Sequence, residues 1–492
     1  MRYECVKKQP LLTDFPSTVF ATAKRRLQAA IRQSKALLLR RSLSGYAVIF
    51  EDWISSDFLE SIDPTQRQRN FGHIPLFWAW MAQILEGNAS CHKAVSWLQA
   101  WSQAHGLPVP SSDTSSYCKA RSRIRMSFLQ SVHAKVLRTL RSGIDEENRW
   151  KGLNLKAIDG TSVTLMDTPA NQKLYPQSSK QKPGCGFPTM GIVGLLDLGH
   201  GGLEHVVTCP WKQHDTKAAS AIVPFLCKGD LLLADRAFSS FELIAKCQEQ
   251  GAHVLIRLHQ ARHKYLDWRK GKRLGKHQRL VTWTRPRRPA RSSLSAQEWE
   301  QLPEKMELRL IKTLFKDRAG KTKELIVVTT LTDHLAHDGM ELANLYARRW
   351  DIELKFRDLK TTLKLETLSV KSPDLAHKTL LMSIIAINLL RGLMQKAATL
   401  AQKPVWQMSF KGCLDLVTAS HEGFRNHAGR RIKKAAAFSD LLILCAEKII
   451  DLRPNRHEPR ALKRRPKNYQ LLTKPRSIFR EIPHRSAYKK PA

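Results

Sequence analysis

A change of rhythm near Leu153 constrains this chain more than any other feature of its sequence. From there, short apolar or β-branched runs follow one another: LKAID (155–159), SVTLMD (162–167), MGIVGLLDL (190–198) and LEHVVTC (203–209). Gly-His-Gly-Gly at 199–202, between the last two, predicts a hairpin turn. A helix-like stretch at 217–227 leads to DLLLAD (230–235), a helix over 239–250 and HVLIRL (253–258). Strands first, then strands alternating with helices, predict an α/β fold: a mixed sheet flanked by helices.

The flanks differ in character. Residues 17–42 read as a basic amphipathic helix, and 75–104 carry apolar and aromatic residues at helical spacing up to Ala94, Trp97, Leu98 and Trp101. Gly106, Pro108 and Pro110 break that pattern. Ser112-Asp113 then predicts an N-cap for a helix holding Lys119, Arg121, Arg123 and Arg125. Residues 1–150 are therefore expected to form an all-helical N-terminal domain. Residues 256–291 hold thirteen Lys and Arg against one acid, Asp267, with Trp268 and Trp283 interleaved. MELRLIKTLF (306–315) and ELIVVTTL (324–331) read as strands. A strand-rich basic insertion is thus predicted over 259–335, dividing the α/β core into 151–258 and 336–400. Helices resume at 339–364 and 375–399, the latter apolar enough to pack on the core or on a second subunit. Residues 401–492 are a basic C-terminal region suited to oligomerisation or DNA contact. Within it, 453–490 hold thirteen Lys and Arg, two acids and five prolines, which predicts an extended tail.

Over 492 residues, 82 Lys and Arg face 43 Asp and Glu, a formal charge of +39. Such an excess strains a compact fold by self-repulsion unless a polyanion screens it. Small-molecule metabolism does not need that charge, so nucleic acid is the expected partner and a small-molecule substrate is not. Nine scattered cysteines include no Cys-x-x-Cys pair. That argues against a disulfide scaffold or a zinc site and for reduced thiols in a cytoplasm. MRYECVKKQPLLTDF has no apolar signal core. The longest apolar run, Leu380–Leu390, is interrupted by Ser383 and Asn388. It is too short and too polar to span a bilayer, so no membrane partner is expected. The sequence has neither the His-x-His pair of relaxase-type nickases nor the Gly-x-x-x-x-Gly-Lys loop of ATPases.

In so basic a chain the informative minority is the carboxylates at strand ends. Asp159 closes LKAI and is followed by Gly160-Thr161; Asp235 closes LLLA and is followed by Arg236-Ala237-Phe238. Two such acids at neighbouring strand ends can hold a hard divalent cation. Equally, each can simply begin a turn, where Asp is common. Asp230 lies at the other end of its strand, about 16 Å away at ~3.3 Å per residue, and Asp167 and Asp197 fall at turn positions. On a helix over 341–363, Leu345, Ile352, Phe356, Leu359 and Leu363 share one stripe at about 100° per residue, which must face the core. Tyr346, Arg349, Glu353 and Lys360 fall in the adjoining stripe, where a side chain can face a cleft or form a surface ion-pair ladder. Asp351 and Asp358 point away from both and are expected to be solvated. Joined, Asp159, Asp235 and Glu353 could bind two Mg²⁺ about 3.5–4 Å apart and act on a phosphodiester.

These residues resemble the DDE transposases of the IS4 family. The family's helix signature is Tyr, two residues, Arg, three residues, Glu, six residues, Lys, and Tyr346, Arg349, Glu353 and Lys360 satisfy every interval. Asp159-Gly160-Thr161 matches its first acidic motif and Asp235-Arg236-Ala237-Phe238 its second. The resemblance implies an RNase H-like core with Asp159, Asp235 and Glu353 as catalytic metal ligands. It also implies Mg²⁺, with Mn²⁺ as substitute, cleavage at transposon ends, and transfer of the freed 3′-hydroxyl into target DNA. Tyr346, Arg349 and Lys360 become DNA-phosphate contacts, and double-stranded DNA and a homodimer in a synaptic complex the partners. A bacterial, nucleoid-associated location follows. Relatives pass through a DNA hairpin and stack a flipped base on an aromatic; Trp350 resembles one such residue, with Trp268, Trp283 or Trp299 as an insertion partner if not simply core.

Residues 89–125 are either a helix–turn–helix or a basic helical bundle, and the 256–291 cluster and the tail are electrostatic footprint. His92, His214 and His263 read as ordinary side chains. Two other functions fit the same residues: a non-catalytic DNA-binding relative, domesticated or inhibitory, and an RNase H-like nuclease that cuts without joining.

Overall fold

The computed structural model describes residues 45–451 apart from 64–71, 105–107, 144–147, 211–214, 265, 291, 317–321, 426 and 428–429, together with 474–475 and 478–479. The helix expected at 17–42, His214 and nearly all of the tail at 453–490 lie outside the described residues.

The N-terminal part is helical: α1 (Gly45–Ile49), α2 (Ser56–Ile62), α3 (His73–Leu85), α4 (Cys91–Ala104), α5 (Ser115–Arg123) and α6 (Met126–Ser142). The helical pattern of 75–104 splits into α3 and α4 because Gly87 and Asn88 take left-handed φ of 73° and 55°, which an α-helix cannot use. Helix α5 starts later than Ser112-Asp113 suggested. Asp113 Oδ1 accepts from the Ser115 N–H at 3.0 Å, an Asx turn that competes with helix for that amide. On α5, Lys119 and Arg123 are exposed, as is Arg125 just beyond it. Arg121 is not, contrary to its expected place on a basic face. It lies 5.0 Å over the Trp80 ring and donates to Gln83 Oε1 at 3.1 Å, so its planar guanidinium is a core element.

The sheet comprises β1 (Asn154–Leu165), β2 (Thr189–Asp197), β3 (Leu203–Pro210), β4 (Asp230–Ala234), β5 (His253–Arg257), β6 (Lys272–Gly275), β7 (Gln278–Thr284), β8 (Lys305–Lys316), β9 (Thr322–Thr329) and β10 (Thr367–Leu368). Its order among the described residues is β3-β2-β1-β4-β5-β9-β8-β7-β6, with β10 added beside β1. β1–β2 and β2–β3 are antiparallel, while β1–β4 and β4–β5 are parallel. That is the RNase H-like arrangement the resemblance implies. β9 pairs antiparallel with β5, so the strands of 259–335 prolong the core sheet rather than standing apart from it.

LKAID and SVTLMD are one strand, not two. β1 pairs with β2 without a break from Lys156↔Asp197 to Thr164↔Thr189. The helix expected at 217–227 is shorter. After α7 (Pro169–Leu174), α8 covers Asp215–Ser220 only, and Val223–Phe225 is a 3₁₀ turn; Pro224 lacks the N–H that would continue an α-helix. Next come α9 (Phe241–Glu249), α10 (Gln260–His263), α11 (Ala296–Glu300), α12 (Gly339–Tyr346), α13 (Trp350–Arg357), α14 (Pro373–Ala401), α15 (Phe410–Arg425) and α16 (Arg431–Ala446).

Alternation along β1 separates two cores. Leu155, Ala157, Val163 and Leu165 join the N-terminal helices, α13 and α14 on one face. Ile158 joins Leu232, Ala234, α9 and the insertion residues Trp299, Leu308 and Leu310 on the other. The 29-residue α14 has the length and apolar content to cross a membrane, which its apolar run alone did not suggest. Yet 83% of its most apolar window is buried in the protein, and polar groups of Lys378, Ser383 and Arg391 have partners there. The Asn388 side chain donates to Leu203 O and accepts from Leu203 N, completing the bonding of edge strand β3. A core helix results.

Candidate active site

The cleft arises where β1 loses a neighbour. β4 pairs with β1 only as far as Ile158↔Ala234, and β10 resumes on that side at Thr164↔Thr367. Between those points one edge of β1 is open, and Asp159, Gly160 and Thr161 occupy it. Asp159 therefore does not end its strand; it marks the end of its parallel partner. Asp235 follows Ala234 directly, so the two acids sit at adjacent strands at the same level. Ile158 and Ala234 point into the second core, so Asp159 and Asp235 project to the face on which α13 packs.

The helix predicted over 341–363 is not continuous. α12 ends at Tyr346, Ala347–Arg349 is a 3₁₀ turn, α13 carries Glu353, and Asp358–Thr362 is π-helical. The expected residues are nonetheless brought together. Arg349, 6% exposed, reaches Asp159 Oδ2 through Nη1 at 3.3 Å and Glu353 Oε1 through Nη2 at 2.9 Å. Tyr346 is buried, hydrogen-bonded to Arg349 and within electrostatic reach of Asp235. Lys360 Nζ lies 3.4 Å from Thr161 Oγ1. Asp159, Thr161, Glu353, Phe356, Arg357, Lys360 and Glu366 line an open cleft of about 300 Å³.

Burial raises the Asp159 carboxyl from 3.8 to about 6; the Gly160 N–H and Arg349 oppose this, while Glu353 and Asp235 add to it. Arg349 is held up despite its burial, because Tyr346, Glu353, Asp159 and Asp235 favour its charge. Burial is thus the main reason the Asp159 carboxyl is raised, and Arg349 opposes it only in part. A donor set of hard carboxylate oxygens fits a divalent cation.

Residues 150–389 match a family model described as "Transposase DDE domain". Over 435 residues the chain is 26% identical to the transposase InsG for insertion sequence element IS4 of Escherichia coli (strain K12), covering 86% of this chain and 92% of that protein. Residues 150–389 are thus a DDE transposase domain, and the chain resembles an IS4 transposase along most of its length. Among solved structures, the piggyBac transposase synaptic complex with hairpin DNA aligns at a TM-score of 0.42 and 9% identity, covering 80% of this chain and 84% of that one.

Other expected positions in this transposase fall elsewhere. The Trp350 side chain lies outside the described residues. Trp299 is core, its Nε1 donating to Pro286 O. Trp283 lies under Arg262 at 3.8 Å, and Trp268 is flanked by Arg279 and Lys312; neither tryptophan lines the cleft. Arg236 is half-buried with no carboxylate partner among the described residues. His263 pairs with Glu324 at 3.0 Å. Asp358, expected in solvent, is buried and bound to Arg391 at 2.6 Å, because its side of the helix, where Lys355 is buried too, is covered by other elements, Arg391 on α14 among them.

Among the described residues, the acid and imidazole atoms that all lie within 4.8 Å of one another belong to Asp197, His200 and Glu204, not to the cleft. Their cation is already present: Lys156 Nζ lies 2.6 Å from Asp197 and 2.8 Å from Glu204. In the cleft, Asp159 and Glu353 are joined instead through Arg349.

Sequence reasoning passed over Gly194, although an isolated glycine within a strand run signals close approach. It stands opposite Asp159 in register, and a Cβ there would lie 3.0 Å from Phe356 Cζ and 3.5 Å from Leu203 Cδ2. Phe356 is one turn after Glu353, so Gly194 fixes how closely α13 approaches the sheet. Gly194→Ala is expected to cost about 1–3 kcal/mol by overpacking and to slow cleavage. Urea denaturation and cleavage assays of Gly194→Ala and of Gly194→Ala with Phe356→Leu check this; the second change should recover at least half of both losses.

Proposed function

We propose that this transposase cuts DNA at the terminal inverted repeats of its insertion sequence and joins the freed 3′-hydroxyl ends to target DNA by cut-and-paste transposition. The observation that carries the reading is that Asp159 and Glu353, from a strand and a helix, line one cleft and share Arg349, with Asp235 at the end of the strand beside Asp159 and within electrostatic reach of it. These three residues would hold Mg²⁺, or Mn²⁺ in its place. A bound pair of such ions supplies activation of a water or 3′-hydroxyl and stabilises the leaving oxygen.

The remaining roles belong to the chain. Arg349 and Lys360 offer positive charge, and Tyr346 a phenol donor, where a phosphate would enter. Exposed Lys119, Arg123 and Arg125, with the basic insertion, supply sequence-independent attraction for duplex DNA. Two copies acting on two ends would form the synaptic complex.

The test uses a duplex ending in the inverted repeat that flanks the gene, with a supercoiled plasmid as target. Wild-type protein should cut the duplex only with Mg²⁺ or Mn²⁺ and should yield joined products. Asp235→Ala and Glu353→Ala should bind the duplex and leave it uncut. Cutting without joined products would favour the nuclease, and binding without cutting by wild type the non-catalytic relative.

A further inference from the structure

We infer that Arg391, on α14, is a positioning residue for Lys360, acting through Asp358 and the π turn that Asp358 opens. The inference rests on the reading of Lys360 as a phosphate contact in the cleft. α13 ends at Arg357, and Asp358–Thr362 is π-helical. The bond that defines this turn runs from Leu363 N–H to Asp358 C=O at 3.0 Å, five residues apart. Lys360 sits inside it. A π turn is rare in the interior of proteins because it trades packing along the helix axis for a wider ring, and it persists where something outside the helix holds it.

The outside hold is the Asp358 side chain. Its carboxylate is bound at 2.6 Å by Arg391 Nη2, and Arg391 is only 1% exposed. The guanidinium is fixed in turn by Met394 Sδ at 3.4 Å and by the Phe410 ring of α15, 4.6 Å away. Asp358 therefore has its carbonyl in the π bond and its carboxylate anchored to a second helix. Rotating the turn back to α geometry would pull a buried carboxylate off its cationic clamp, which is costly. With the turn held, Lys360 meets Thr161 on β1 at 3.4 Å.

Lys355 complicates a single substitution. It is buried on the same side, and its ammonium is pushed down to about 7 by burial and Arg391, with Asp358 and Asp351 opposing. If Arg391 alone were removed, Asp358 could turn to Lys355. The informative variant neutralises both partners, Asp358→Asn with Arg391→Met, which removes the two members of the buried pair together and leaves Asp351 to favour the Lys355 charge. Arg391→Lys is the conservative companion.

Two measurements decide. Amide hydrogen exchange on the full-length, metal-free chain should show the neutralised variant losing protection at Leu363 by at least tenfold, while α14 stays protected; Arg391→Lys should lose less. In cleavage assays the neutralised variant should be about tenfold slower, and the same pair of changes should add less than twofold to Lys360→Ala. Unchanged exchange at Leu363, or losses that multiply in full with Lys360→Ala, would overturn the inference. A wild type that never cuts DNA, with the exchange change intact, would instead sink the proposed function and leave the hold on the π turn standing.

Discussion

Asp159→Asn is expected to abolish cleavage and, in the same protein, to raise the stability of the metal-free fold at pH 8. Both results come from one geometry. Asp159 lies on the open edge of β1 with Glu353 and Asp235 nearby, and burial has already lifted its carboxyl from 3.8 to about 6. A group whose folded value is raised makes the fold most stable below the unfolded value and loses that contribution as pH climbs to the folded one. The window here is pH 3.8 to about 6. Above it, the ionised carboxylate costs up to ~3 kcal/mol relative to a neutral side chain of the same shape, at 1.36 kcal/mol per unit. Denaturant melts of wild type and Asp159→Asn should therefore coincide near pH 4 and separate at pH 8, with the Asn variant more stable. Added Mg²⁺ should close the gap by stabilising wild type alone. Cleavage should fall roughly 10³-fold or more, the scale of losing a group that acts on the transition state. An Asn variant less stable at pH 8, or one that still cuts, would mean that Asp159 does not bear the charge of this site.

Some of this was legible in the residues and some was not. The sheet was, because short β-branched runs bounded by turns leave few alternatives, and Asp159 and Asp235 stood out as acids abutting apolar runs. Tyr346, Arg349, Glu353 and Lys360 were placed on one edge by assuming a uniform α-helix; Glu353 and Lys360 line the cleft, while Arg349, paired with Glu353, and Tyr346 are buried beside it. The assumption failed in detail, since a 3₁₀ turn precedes Glu353 and a π turn carries Lys360. Asp358 shows another limit: on an ideal wheel it points away from the core stripe, yet it is buried against Arg391, 33 residues on. Burial of this kind is set by partners on other elements, which local periodicity does not contain. Arg121 shows the same limit. Its charge suggested a DNA-facing surface, but Trp80 and Gln83, brought by α3, take it into the core. Gly194 announced a close approach without saying to what, because Phe356 lies far along the chain.

Lys156→Met tests the least legible feature of all and should cost about 3–5 kcal/mol at pH 7, the scale for removing one partner of a buried ion pair. Nothing in LKAID marks its lysine, and Asp197 looked like a turn residue. In the fold, Lys156 is 5% exposed and lies directly across from Asp197 on β2, within reach of Glu204 on β3. Burial alone would push its ammonium down, but the two carboxylates outweigh that and hold it up. Glu204 and Asp197 are both held low, although burial works the other way, with His200 and Lys156 favouring their charge and Arg141 adding to the effect on Glu204. Acids with depressed values stabilise the fold above their unfolded values and lose that contribution as pH falls. The gap between wild type and Lys156→Met should therefore be largest near neutrality and shrink below about pH 4, where the two acids can take up protons in the variant. Urea melts across that range measure it. A gap that stays constant with pH would make Lys156 a packing residue. A narrowing gap would identify its ammonium as the cation of the Asp197–His200–Glu204 group, which leaves the split between β4 and β10, rather than this tighter cluster, as the place for a catalytic metal.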